Sequence, residues 1–126
     1  MAIYVDFDAT LAIYNGWNGG ELGEPIPRMV KEVQDALARG ETVKIFTARV
    51  CVMEGVSAES GLRADPAFAE NQRRLIEDWT EKYIGQRLEV TAIKGFDATE
   101  IWDDRARAVI PNKGMFKLSD VGINRM

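Results

Sequence analysis

Apolar and polar positions along this chain alternate with two different periods, and the switches between them mark its elements. Ile3, Tyr4 and Val5 form an apolar run that ends abruptly in Asp6 and Asp8, so residues 2–8 read as a strand. From Pro27 to about Arg39 the apolar positions Met29, Val30, Val33, Ala36 and Leu37 follow helical spacing. Pro27 suits the first turn of that helix and Gly40 the position just past its end. TVKIFTA, residues 42–48, reads as a second strand. Asp65-Pro66 then looks like an N-cap followed by a first-turn proline. It opens a helix over 66–84 whose buried face carries Phe68, Leu75, Ile76, Trp79 and Tyr83. Further strands are predicted at 88–93, 99–104 and 108–111.

Three stretches carry no such period. Residues 12–25 are rich in Gly and Asn and read as a mobile flap; their glycines fit neither phosphate-binding loop pattern. Residues 49–65 are irregular, and the part from 50 to 64 offers a second small lid. The segment from Asn112 onward suggests a turn and a short packing segment. Strands alternating with helices predict an α/β fold, a largely parallel sheet flanked by helices. In such sheets ligands bind beyond the carboxyl ends of the strands.

Composition narrows the chemistry. At 126 residues the chain reads as one domain, 1–126. It contains no histidine, which excludes Ser-His-Asp and Cys-His catalysis and histidine-bearing zinc sites. The single cysteine, Cys51, cannot form an internal disulfide, and position 57 is Ser rather than the arginine a cysteine phosphatase loop needs; it reads as a packing residue. With no long apolar run and no signal pattern at the N-terminus, a cytoplasmic location without a membrane partner is expected. A net charge of −4 argues against broad nucleic-acid binding, though not against a nucleotide or a strand end.

The strand ends hold the candidate chemistry: Asp6 and Asp8, then Thr47 and Arg49, then Asp103 and Asp104. Taken singly, each has a bland reading. Aspartate is common where a strand meets a turn, Thr47 is an ordinary strand-end residue, and Arg49 reads as a surface or supporting group. Together, four carboxylates converging on one sheet edge would repel one another unless a cation lay between them. Oxygen-only ligands of this kind suit Mg²⁺, whose open positions phosphate oxygens commonly fill.

These residues also carry a resemblance. DFDAT at 6–10, IFTAR at 45–49 and WDDRA at 102–106 resemble the first, second and fourth motifs of the haloacid dehalogenase-like (HAD-like) phosphohydrolase superfamily. The chain is similar to its short capless members, found in bacteria and phages. The resemblance implies a Rossmann-like three-layer sandwich with a mainly parallel central sheet and β-strand 1 at its middle. It further implies an aspartyl-phosphate phosphatase acting on a small phosphorylated metabolite, a nucleotide or a phosphorylated strand end. Asp6 would be the nucleophile and Asp8 the acid and base, with Thr47 on the phosphoryl oxygens and Lys94 as the third-motif cation. Mg²⁺ would be held by Asp6, the backbone carbonyl of Asp8, Asp103 and Asp104.

Two departures bear on that picture. Ala9 stands where the family usually has glycine. Lys94 is followed within a few residues by the next strand, whereas a helical crossover takes about a dozen residues or more. Either the link runs nearly straight, or the 88–93 strand is antiparallel and Lys94 lies at the wrong end, with Lys82 a poor substitute. Tyr14 and Trp17 are expected either to stack on a base, sugar or aromatic leaving group or to pin the flap. An open site would admit large substrates, or a second copy of the chain could roof it in a homo-oligomer. The alternatives to a phosphatase are a HAD-like module that binds Mg²⁺ and a phosphorylated ligand without turnover, a phosphoryl transferase, and a protein in which metal only braces the sheet.

Overall fold

Residues 1–52 and 65–118 are described by the computed structural model. Its main sheet has four strands: β1 (Ala2–Asp6), β2 (Thr42–Phe46), β3 (Val90–Thr91) and β4 (Ala98–Trp102). They lie in the order β3-β2-β1-β4 and every pair is parallel. Two helices join the first three, α1 (Pro27–Ala38) and α2 (Pro66–Tyr83). The register sets Val5 opposite both Ile45 and Trp102, so β1, β2 and β4 end at one level.

The side-chain alternation explains the layering. Ile3, Val5 and Phe7 on β1 and its exit, with Val43 and Ile45 on β2, point to one face. There they meet Val30, Val33 and Ala36 of α1 and Ile76 and Trp79 of α2 in one core. Phe7 packs edge-on against Trp79 with ring centroids 4.9 Å apart. The helix limits follow their signals. Asp65 Oδ1 accepts the Ala67 N–H at 2.9 Å as N-cap, and Gly40 takes φ 86° behind α1. The buried face of α2 departs from expectation, since Leu75 is 42% exposed while Gln72 and Thr80 are buried. Thr80 earns that place by bonding: its hydroxyl donates to Glu77 O at 2.7 Å and accepts the Leu88 N–H at 3.0 Å.

The opposite sheet face has no helix among the described residues; both helices lie on the first. The cause is the link from β3 to β4, Ala92–Asp97, which is too short for one and crosses the sheet directly. It is pinned over β1. Gly95 N donates to the buried Tyr4 hydroxyl at 3.0 Å, and that hydroxyl donates to Asp97 Oδ1 at 2.5 Å. Lys44 Nζ completes the tie 2.9 Å from Asp97 Oδ2, and Tyr4 and Lys44 together hold the Asp97 carboxyl below its ordinary range. The link therefore runs straight and β3 is parallel.

Other expectations shift. The 108–111 segment does not join the main sheet. Its strand β5 (Val109–Ile110) pairs antiparallel with β6 (Met115–Phe116) in a separate hairpin, turned by Asn112 at φ 63° and Gly114 at φ 66°. The 12–25 stretch is tied down rather than free, through Ile13 N to Glu24 O at 2.8 Å and Trp79 Nε1 to Gly23 O at 3.0 Å. Most of the proposed second lid, and the chain after Leu118, lie outside the described residues. Among the described residues no helix is long and apolar enough to cross a membrane.

A Cβ at Gly95 would sit 2.5 Å from both Tyr4 Oη and Asp97 Oδ1. Gly95→Ala is thus expected to lower stability by about 2 kcal/mol, read as a shift in denaturant midpoint. An unchanged midpoint would mean that the link is not held against β1.

Candidate active site

Because three parallel strands end at one level, the polar residues that follow them are brought together. β1 delivers Asp6. The chain then turns tightly, with Leu11 and Ala12 N–H both donating to Phe7 O at 2.9 Å and Ala9 N–H to Ala12 O at 2.8 Å. The turn places Ala9 at φ 67°, a left-handed conformation that glycine adopts freely and alanine does not. Thr10, buried in the same turn, links the two acidic loops. Its hydroxyl accepts the Asp104 N–H at 3.1 Å and lies 3.4 Å from Asp6 Oδ2 and from Asp104 Oδ1. Behind β4, Asp103 Oδ1 accepts the Arg105 N–H at 2.8 Å, fixing the turn that carries both acids.

Asp6, Asp103 and Asp104 each offer one carboxylate oxygen, and these oxygens lie within 4.8 Å of one another. Such crowding has an electrostatic consequence. Burial, a hydrogen bond with Asp104 and the charges of Asp103 and Asp104 push the Asp6 carboxyl up to about 7. A divalent cation among the three oxygens would remove that repulsion. The donor set is all oxygen, which fits a hard cation, and no basic side chain makes an ion pair with Asp6, Asp103 or Asp104 among the described residues.

Asp8 belongs to a different network. Its carboxylate faces Arg49, which donates from Nε to Oδ2 at 2.7 Å and from Nη2 to Oδ1 at 2.8 Å. The Asp8 side chain therefore stands apart from the carboxylate triad. Arg49 is itself buried, with 3% of its side chain exposed. Its Nη1 donates to Gly20 O and to Gln72 Oε1, both at 2.9 Å, and its guanidinium lies 4.8 Å from the Trp17 ring centroid. Thr47, buried at the end of β2, starts the following 3-10 turn by accepting the Arg49 N–H at 3.2 Å. One side chain thus joins the strand end, the flap, α2 and Asp8.

A cavity of about 700 Å³ opens over these groups, and Asp6, Asp8, Thr47, Asp103 and Asp104 all line it. Lys94 does not. It lines an adjoining cavity of about 610 Å³ that shares only Asp103 with the first. Arg105 lines the carboxylate cavity instead, and its guanidinium has no partner among the described residues. Sequence reasoning missed Arg105 and Thr10, although both sit within the quoted motifs. It also read Arg49 as peripheral, whereas it is the most heavily bonded side chain around the cavity. Its one visible signal was its place three residues beyond the end of β2, beside the acids that follow β1.

Neither protein-family models nor curated proteins nor solved structures give a match to this chain.

The Asp6 shift fixes a pH dependence. Folded, the carboxyl keeps its proton to about pH 7; unfolded, it loses it near 3.8. Between those values the folded chain binds more protons, so the cation-free protein loses stability as pH rises through the window. In EDTA, the melting temperature of Asp6→Asn relative to wild type is expected to be lowest near pH 4 and to climb toward pH 8. A flat difference would refute the crowding. Ala9→Gly removes the left-handed strain and is expected to stabilise the fold by about 1 kcal/mol in denaturant unfolding; destabilisation would show that the strain is relieved elsewhere.

Proposed function

We propose that the chain is a Mg²⁺-dependent phosphomonoesterase with a Rossmann-like, capless HAD-like fold, working through an aspartyl-phosphate. The observation that carries this reading is the meeting of Asp6, on the central strand, with Asp103 and Asp104 from β4 and Thr47 from β2 around one cavity. The strand order β3-β2-β1-β4 supports the fold assignment, since it sets the first-motif strand between the other two motif strands. The lone cysteine suits a reducing, cytoplasmic setting.

In this mechanism a carboxylate oxygen of Asp6 attacks phosphorus, and the bond from phosphorus to the leaving oxygen breaks. Asp8 gives that oxygen its proton. Water then attacks the phosphorus of the aspartyl-phosphate, Asp8 takes a proton back, and the bond to Asp6 breaks to release inorganic phosphate. Mg²⁺, when bound by Asp6, Asp103 and Asp104, supplies charge neutralisation for the nucleophile and the phosphoryl oxygens. Thr47 and Arg105 donate to those oxygens, and Arg105 takes the role expected of Lys94. The Arg49 pair must open for Asp8 to reach a leaving oxygen, so Arg49 controls when the acid is available.

A second reading has its own support: a module that binds Mg²⁺ and a phosphorylated ligand without turning it over. Asp8 held on Arg49 and the strained Ala9 favour it. Phosphate release from aryl and alkyl monoesters, measured with Mg²⁺ and with EDTA, separates the two. Turnover that needs the metal and falls at least about 10³-fold in Asp6→Asn is expected. Absence of turnover in a folded protein that still binds Mg²⁺ would select the binding module.

A further inference from the structure

The carboxylate cavity, at about 700 Å³, lies well within the roughly 300–1,000 Å³ of small-molecule sites. It holds far more than a phosphoryl group. Its lining holds four aspartates and Thr47 and, besides them, the rings of Tyr14, Trp17, Phe46 and Phe68. Most of those rings are already engaged within the fold. Phe46 meets Tyr4 edge-on at 5.8 Å, and Trp17 packs on Phe68 at 5.9 Å while carrying Arg49 over its face. Tyr14 is different. It lines the cavity, is 40% exposed, and has neither a ring partner nor a side-chain hydrogen bond among the described residues. Its backbone is not loose, because the preceding residue is bonded to Glu24 across the flap. An unpartnered ring on a tied backbone, in the wall of a cavity larger than a phosphoryl group, is a platform for another flat ring.

We infer that the phosphomonoester taken by this site is a nucleoside phosphate, its base stacked on Tyr14 and its phosphoryl group at Asp6 and Thr47. This rests on the phosphomonoesterase reading above and names its substrate class. Phosphate alone would leave most of the cavity unfilled, and a nucleoside phosphate joins in one molecule a group for the acids and a flat ring for Tyr14, both of which line it. The net charge of −4 sets a short ligand above a long polyanion.

Two measurements on wild type, Tyr14→Ala and Tyr14→Phe test it. The first compares kcat/KM with Mg²⁺ for nucleoside monophosphates against ribose 5-phosphate and glycerol 3-phosphate. A preference of about tenfold for the base-bearing esters is expected, collapsing toward parity in Tyr14→Ala and kept in Tyr14→Phe. The second measures equilibrium binding of adenosine monophosphate and of glycerol 3-phosphate with Mg²⁺, whether or not either is turned over. Turnover without a base preference, or a Tyr14→Ala loss equal on all esters, overturns the nucleoside assignment and leaves the phosphatase standing. Tight nucleotide binding that needs the Tyr14 ring, with no turnover of any ester, upholds the stacking site and overturns the phosphatase. A phosphorylated oligonucleotide is run beside the mononucleotide. A Tyr14-dependent advantage for either upholds stacking, and the better of the two tells a strand end from a free nucleotide.

Discussion

Arg49 is a charge that the fold has taken out of water, and several segments are arranged around its needs. Desolvating a guanidinium is unfavourable unless nearly every donor is bonded. Here the bonds come from the Asp8 carboxylate, the Gly20 carbonyl and the Gln72 side chain, with the Trp17 face beneath. Each partner lies on a different piece of chain: the turn after β1, the flap, and α2. The flap, which contains no long regular element, keeps its course because its carbonyls are the acceptors this cation requires. Removing either member of a buried pair typically costs about 3–5 kcal/mol, so this part of the fold is stabilised and constrained by one set of bonds.

Next to that compensated pair stands an uncompensated cluster. Asp6, Asp103 and Asp104 crowd together with no positive side chain bonded to them among the described residues, while Asp8, two residues from Asp6, is fully engaged. Alternation along β1 would send Asp6 and Asp8 to one side. The turn at Ala9 separates their surroundings nonetheless. Neighbouring carboxylates thus acquire opposite electrostatic settings, which is the arrangement that lets two acids hold different roles.

Much of this was legible in the sequence where a local rule decides the outcome. Pro27 and Gly40 bounded α1, Asp65 capped α2, and apolar runs ending in Asp6, Thr47 and Asp103 announced the strands whose ends meet. What escaped depends on packing between distant segments. Leu75 obeys helical spacing yet faces solvent, because Thr80 and Gln72 are wanted inward by hydrogen bonds no period reveals. Val109 and Ile110 look like sheet strand but pair with Met115 and Phe116 nearby. Lys94 follows a strand as a motif lysine should, but its link, tied to Tyr4 through Gly95, sets it in the wall of the adjoining cavity rather than the carboxylate one.

The exposed edge of the sheet gives the carboxylate cluster a mechanical character. Asp6 ends β1, which is hydrogen-bonded on both sides; Asp103 and Asp104 follow β4, bonded on one side only among the described residues, with its middle residues facing solvent. Local opening free energies track such differences, so the amides of β1 are expected to exchange near the global limit and those of β4 before it. An ion gripping all three acids would bolt an edge strand to a central one. Its grip would be recorded as slowed amide exchange along Ala98–Trp102, making the outer strand rather than the one that carries Asp6 the gauge of occupancy.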